Sequence, residues 1–254
     1  MDRVVCYFWK YGGYDICDDS IKEYCNKHRI RIVEIPYEKH SYPEILDEWV
    51  NVTKFIQDDI RKNKPILCFS SNHCLNTCVM SDFLGEYNNI VYIDAHADCN
   101  TPETSETKNI HGMGLAALCG YGYKPLVDLV PIKCKSIQGI GLRSIDKYEL
   151  SNVPELELCN FSDIDYTQKS CISFDVDVFD SKYYTSCHLN LEDGLSPDEV
   201  RDFFEHIDLD NVGIIEISEI NNLTENDEKV LDYVLEPLFL KLNGYKKDLV
   251  KRLN

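Results

Sequence analysis

The sequence predicts an α/β fold, a doubly wound and mainly parallel sheet with helices on both faces, and three observations carry that reading. Short apolar runs of four to six residues alternate with stretches of helical periodicity, the pattern left by strands buried on both faces of a parallel sheet. No linker, low-complexity block or internal repeat breaks the series, so residues 1–254 read as one domain. Two aspartate-rich strings follow directly on two of the apolar runs, where the sites of doubly wound sheets lie.

In chain order, Val4–Phe8 and Ile30–Ile35 are predicted strands around a helix near Ile16–Lys27. From Tyr42 to Lys62, the positions of Ile45, Trp49, Val50, Phe55 and Ile56 have helical spacing, and Pro65 marks the end. Further strands are predicted at Ile66–Phe69, Asn89–Ile93, Ser136–Gly141, Cys171–Phe174 and Val212–Ile217. Helices should follow near Leu75–Leu84, Met113–Cys119, Pro197–Ile207 and Asp227–Leu242. Ser196 before Pro197, with Glu199 three residues on from Ser196, is an N-cap signature.

At 254 residues the chain is long enough to bury a full core, and with 44% hydrophobic and 28% charged residues it is globular rather than disordered. A formal net charge of −18 argues against nucleic acid and anionic membrane as partners, and favours a cationic substrate. The start, Met1–Cys6, lacks the basic-then-apolar pattern of a secretion signal, and no apolar stretch approaches a membrane span. The twelve scattered cysteines then read as reduced, mostly buried thiols of a cytoplasmic protein. Cys74 and Cys78 form a close pair, but no second pair completes a zinc site.

The chemistry concentrates in Asp94-Ala95-His96-Ala97-Asp98 and in Asp175-Val176-Asp177, after the runs Ile90–Ile93 and Cys171–Phe174. Alternate residues of an extended segment share a side, so Asp94, His96 and Asp98 are expected to converge, as are Asp175 and Asp177. Carboxylate with imidazole is the ligand set of hard or borderline divalent metals, and this many carboxylates suggests more than one ion. A lone string of this kind can be a strand end capping the next helix. Two of them are harder to explain so, because burying five such groups without a cation costs several kcal/mol per unpaired charge. A metal-dependent hydrolase is the first reading.

The stretch from Asp94 through Asn100-Thr101-Pro102 to His111-Gly112-Met113 resembles the signature of the ureohydrolase (arginase/agmatinase) family, closest to its arginases. Ser173–Asp180 resembles the family's second metal motif, and Asn72-His73, Gly141–Asp146 and Ile215-Glu216 match in the family's order over roughly residues 66 to 220. The resemblance implies two Mn(II) ions. His73, Asp94, Asp98 and Asp175 would hold one; Asp94, His96, Asp175 and Asp177 would hold the other. It further implies a hydroxide bridging the ions that attacks an arginine guanidinium, leaving urea and an ornithine-type product.

The same resemblance gives Asp98 a role in moving the hydroxide proton to the leaving nitrogen, and His111 that of a second proton shuttle. Glu216, at the end of its predicted strand, matches the carboxylate that pairs with the guanidinium. Asn100 and Thr107 match contacts to the substrate α-carboxylate, and Asp146 and Glu149 lie on the α-amino side. The chain also departs from the pattern. Lys108 stands where the family has glycine, Asn72 replaces an aspartate, and residues 181–192 replace a Pro/Gly/Thr-rich loop at the mouth. Such a rim fits an altered substrate, including arginine within a peptide, or an altered homo-oligomer, while the four substrate-end residues favour free arginine. Another amide or amidine hydrolase, and a non-catalytic binding protein, are the remaining readings.

Overall fold

A computed structural model describes residues 3–10, 19–37 and 41–253, with side chains to residue 243. The chain runs β1 (Val4–Phe8), α1 (Ser20–Lys27), β2 (Arg31–Glu34), α2 (Glu44–Asn63), β3 (Leu67–Ser70), α3 (Leu75–Met80) and β4 (Asn89–Ile93). It continues through α4 (Gly114–Cys119), α5 (Lys124–Val127), β5 (Ser136–Ile140), α6 (Glu149–Asn152), β6 (Leu156–Leu158) and β7 (Ser170–Asp175). Last come α7 (Pro197–His206), β8 (Val212–Ser218) and α8 (Glu225–Leu253). The first part of the helix predicted from Ile16 lies outside the described residues.

All eight strands form one sheet in the order β2-β1-β3-β8-β7-β4-β5-β6, and every pairing is parallel. The crossover from β3 to β4 leaves a gap that β7 and β8 fill later in the chain. The four central strands, β3, β8, β7 and β4, are buried along their whole length, which is why they read as apolar runs in the sequence. One face of the sheet packs on α2, α3 and α4 through Trp49, Ile56, Val79 and Leu115. The other packs on α1, α7 and α8 through Ile21, Phe203, Phe204 and Leu235.

The local signals work as chemistry predicts. Ser196 and Glu199 form a reciprocal capping box at α7 with Pro197 in the first turn. Lys64 closes α2 in the left-handed region at φ 47°, just before Pro65. Cys6, Cys25, Cys68, Cys74, Cys78, Cys99, Cys119, Cys134, Cys159, Cys171 and Cys187 are free thiols, and all but Cys159 are buried. Among the described residues, no helix is long and apolar enough to cross a membrane.

Candidate metal centre

The carboxyl ends of the four central strands converge, and each delivers one part of the site: His73 after β3, Asp94–Asp98 after β4, Asp175 and Asp177 from β7, and Glu219 after β8. His73 Nδ1 lies 2.9 Å from Asp94 Oδ2, 3.0 Å from Asp98 Oδ2 and 3.2 Å from Asp175 Oδ2. His96 Nδ1 lies 2.7 Å from Asp177 Oδ2 and 3.8 Å from Asp94 Oδ1. Two ligand clusters result, His73–Asp94–Asp98 and Asp94–His96–Asp177, with Asp94 common to both. Asp175 and Asp177 also group with Glu219. The six expected metal ligands are thus brought together.

The convergence does not come from strand pleating. β4 ends at Ile93, so Asp94, His96 and Asp98 lie on the loop beyond it, and Asp98 adopts φ 49°. Asp177 sits in a single 3₁₀ turn over 176–178, and its own amide donates to Asp175 Oδ1 at 2.9 Å. Loop path, rather than the period of two, aims these side chains.

The electrostatics describe a site built for cations. Burial first, then the charge of Asp177, pushes the Asp94 carboxyl up to about 8. Burial and the neighbouring Asp177 and Glu219 push Asp175 well above the carboxylate range. Burial disfavours charge on the imidazoles too, but the carboxylates outweigh it: His73 is driven well up, and His96 up to about 10. Asp94 Oδ2 is buried and accepts no aligned hydrogen bond. A buried carboxylate oxygen without a donor, in a hard-oxygen and imidazole set, fits a pair of divalent ions.

A cavity of about 210 Å³ opens over these ligands. His111, buried on its own 3₁₀ turn, places Nδ1 3.1 Å from Glu219 Oε1 and Nε2 3.2 Å from Asn72 Nδ2. Burial alone would raise Glu219, but the hydrogen bond and charge of His111 hold it down to about 2. Asn100, Thr107, Asp146 and Glu149 all line the same cavity. Asn100 Nδ2 donates to Asp146 Oδ2 and Glu149 Oε1, each at 3.0 Å, and Glu149 Oε2 accepts from the Asp146 amide at 2.7 Å. Burial pushes the Glu149 carboxyl up to about 7.

Glu216 is a correction. The strand runs on to Ser218, which leaves Glu216 inside the sheet, 0% exposed and bonded to Ser70 and Ser173. The carboxylate that β8 presents to the cavity is Glu219, one residue past the strand, at φ 62°. The clue in the sequence was position, since sites lie beyond strand ends and not within them.

The altered rim is also resolved. Lys108 occupies its position at φ 60°, which accounts for glycine there in the family pattern. Its ammonium donates to the Pro102 carbonyl at 2.8 Å. The 181–192 segment reaches the cavity through Leu189. Arg143 ties that segment to the loop after β7, donating to the carbonyls of Asp177, Val178, Phe179, Leu191 and Glu192. A larger cavity of about 500 Å³, beside Arg143 and Cys159, holds none of the grouped metal-type ligands. Ligand convergence, not size, picks the site.

The arginase-family model matches residues 21–232, and the chain belongs to that family. Arginase of Staphylococcus aureus (strain MRSA252) is 34% identical over 165 residues, covering 62% of this chain and 55% of that protein. Arginase of Plasmodium berghei is 27% identical over 205 residues, covering 69% of this chain and 58% of the relative. The chain therefore matches a little over half the length of these relatives.

Among solved structures, Entamoeba histolytica arginase in complex with L-ornithine superposes with a TM-score of 0.76 at 21% identity, over 93% of this chain and 98% of that one. Bacillus cereus arginase gives 0.72 at 22% identity over the same shares. The agmatine ureohydrolase of Thermoplasma volcanium gives 0.69 at 14% identity, over 97% and 92%. These likenesses show the fold.

Proposed function

We propose that this chain is a binuclear-metal hydrolase that cleaves the guanidinium of arginine to urea and an ornithine-type product. The observation that carries the reading is the pair of imidazole–carboxylate clusters sharing Asp94, with the Glu219–His111 pair lining the same cavity beside them. His73, Asp94, Asp98 and Asp175 would hold one ion, and Asp94, His96, Asp175 and Asp177 the other. Two divalent ions, Mn(II) by the family resemblance, would supply Lewis acidity and a water of lowered pKa.

The chain's own residues do the rest. Glu219, ionised and buried, is the counter-charge for the guanidinium and orients it over the ligands. Asp98 takes a proton at the site and returns it to the departing nitrogen. His111, hydrogen-bonded to Glu219, exchanges protons with the cavity mouth. Asn100, Thr107, Asp146 and Glu149 hold the amino-acid end: the two acids attract the α-ammonium, and the amide and hydroxyl meet the carboxylate.

Free arginine is the first substrate. Arginine within a peptide is the second reading, supported by Leu189, a cavity-lining side chain that is 49% exposed and offers an apolar lip to a longer substrate. Urea release from free arginine by protein carrying two Mn(II) ions per chain, absent from metal-free protein, is the expected result. Protein loaded with two ions that releases urea from neither arginine, agmatine nor an arginine peptide would overturn the proposal in favour of another amide or amidine hydrolase.

A further inference from the structure

α1 and α8 cover the same face of the sheet, and three side chains from their contact lie outside the cavity described above. His28 ends α1, with its amide bonded to the Tyr24 carbonyl. Glu228 and Asp232 stand one turn apart on α8 and so share a face of that helix. One donor atom from each of the three lies within 4.8 Å of the others. His28 Nε2 is 3.0 Å from Asp232 Oδ1.

An ion-pair network is the ordinary account of such a group, and part of this one fits it. Lys27 Nζ lies 2.5 Å from Glu228 Oε1 and 3.9 Å from Asp232 Oδ2. His28 does not fit. Its Nε2 and Asp232 Oδ1 are both shut off from water, yet neither makes an aligned hydrogen bond in spite of their short separation. Two buried polar atoms that close, not pointing at one another, are left uncompensated. Atoms bound to one ion at about 2.0–2.2 Å are held in this way, roughly 3 Å apart with their lone pairs turned to the ion. The same pattern recurs at His73 and Asp94, 2.9 Å apart, where Asp94 Oδ2 likewise accepts no aligned hydrogen bond.

A buried phenol points to the same place. Tyr24 is 1% exposed, and its hydroxyl has no aligned partner either. Its ring lies 4.4 Å from that of His28, and after burial itself the Asp232 charge does most to push its phenol up. The hydroxyl is placed to donate to a carboxylate that has turned toward an ion. Phe239 stacks on His28 at 5.6 Å and 11°, so the imidazole is fixed between two rings.

We propose that His28, Glu228 and Asp232 form a mononuclear site for a divalent transition ion of the Zn(II) kind, which clamps the end of α1 to α8. One imidazole nitrogen and two carboxylate oxygens, with water in the fourth position, make a tetrahedral zinc set. Glu228 joins it by leaving Lys27, whose flexible side chain is 58% exposed and returns its ammonium to water. The site is separate from the binuclear centre and does not depend on that reading.

The test counts ions. Metal-free full chain is dialysed against Zn(II) buffered at ~1 µM free ion, and bound zinc is measured by plasma mass spectrometry, with circular dichroism and thermal unfolding alongside. His28→Phe keeps the ring stacking without the nitrogen, and Asp232→Asn keeps the shape without the charge. Each should hold one ion fewer per chain than wild type, its affinity reduced by more than the ~10–100-fold typical of an outer partner. The double variant Asp94→Asn, Asp177→Asn breaks the other ligand clusters and should still bind one ion, which raises its melting temperature. Adding His28→Phe should remove both the ion and the rise. Lys27→Ala frees Glu228 and should tighten the ion by up to about fivefold.

Equal zinc content in wild type, His28→Phe and Asp232→Asn would overturn the site, as would a Lys27→Ala chain that binds the ion more weakly. If His28→Phe does not fold, Asp232→Asn decides. A folded Asp94, Asp177 double variant that binds no zinc also overturns it. Failure of the binuclear centre alone leaves that variant with its one ion, which keeps the two outcomes apart.

Discussion

Removing metal should make this protein lose stability as pH rises, and the size of the loss can be worked from the site. Asp94 moves from an ordinary 3.8 to about 8 on folding without a cation. Between those values the folded state binds the extra proton, so stability falls as pH rises. His96 moves from 6.5 to about 10; its stabilising contribution is whole below pH 6.5 and is lost as pH climbs through 10. Both groups act in the same direction. Glu219, held at about 2, acts oppositely, but only as pH falls below its ordinary 4.5.

Each pH step is worth ~1.4 kcal/mol per proton, so Asp94 alone implies a loss of about 4 kcal/mol between pH 5 and pH 8. For a chain of this size that is roughly 8–16 °C in melting temperature. The assay is thermal unfolding of metal-free protein from pH 5 to 9, with and without saturating Mn(II), beside Asp94→Asn. Metal should flatten the slope, because bound carboxylates are already ionised; the asparagine should reduce it in metal-free protein. A metal-free midpoint that stays level or rises from pH 5 to 8, or a slope untouched by Mn(II), would refute the reasoning.

Glu219→Gln removes the counter-charge of the guanidinium and should cut kcat/KM for arginine by about 10–10²-fold; near wild-type values would mean that no guanidinium is held there. His111→Ala should lower kcat by roughly 10–10³-fold with metal content unchanged, and added imidazole should restore part of it; undiminished turnover would remove the shuttle role. Free arginine should exceed arginine blocked at both ends by at least about 10²-fold in kcat/KM, measured as urea release. Equal or faster hydrolysis of the blocked form would make the peptide reading the correct one.

Much of the fold was legible because the central strands are buried on both faces. Asn89–Ile93 coincides with its predicted limits, and β3, β7 and β8 differ from theirs by a residue or two. What was missed is short or exposed. β6 has three residues at the sheet edge, with Leu158 55% exposed, so it has no apolar run to read. α5 and α6 span four residues each, too few for a helical period to show. The helix predicted over Leu75–Leu84 ends at Met80, and turns take the remainder.

The site shows where reading from a period fails and what replaces it. Alternation along a strand grouped Asp94 with His96 and Asp98, and the grouping is right although the geometry is not, since all three lie past the strand end. On β8 the same habit was misleading. Glu216 and Glu219 are three residues apart, so nothing in a local window separates them. The difference is that Glu216 still has neighbours on both sides, with Cys68 and Ser173 in register, whereas Glu219 has left the sheet. A carboxylate inside a parallel sheet must find donors within the sheet, and Glu216 finds Ser70 and Ser173. One just beyond it can be partnered from a loop, and Glu219 finds His111. β8 thus carries one acid held inside the sheet and a second that lines the cavity, and only strand register, which no single segment encodes, says which is which.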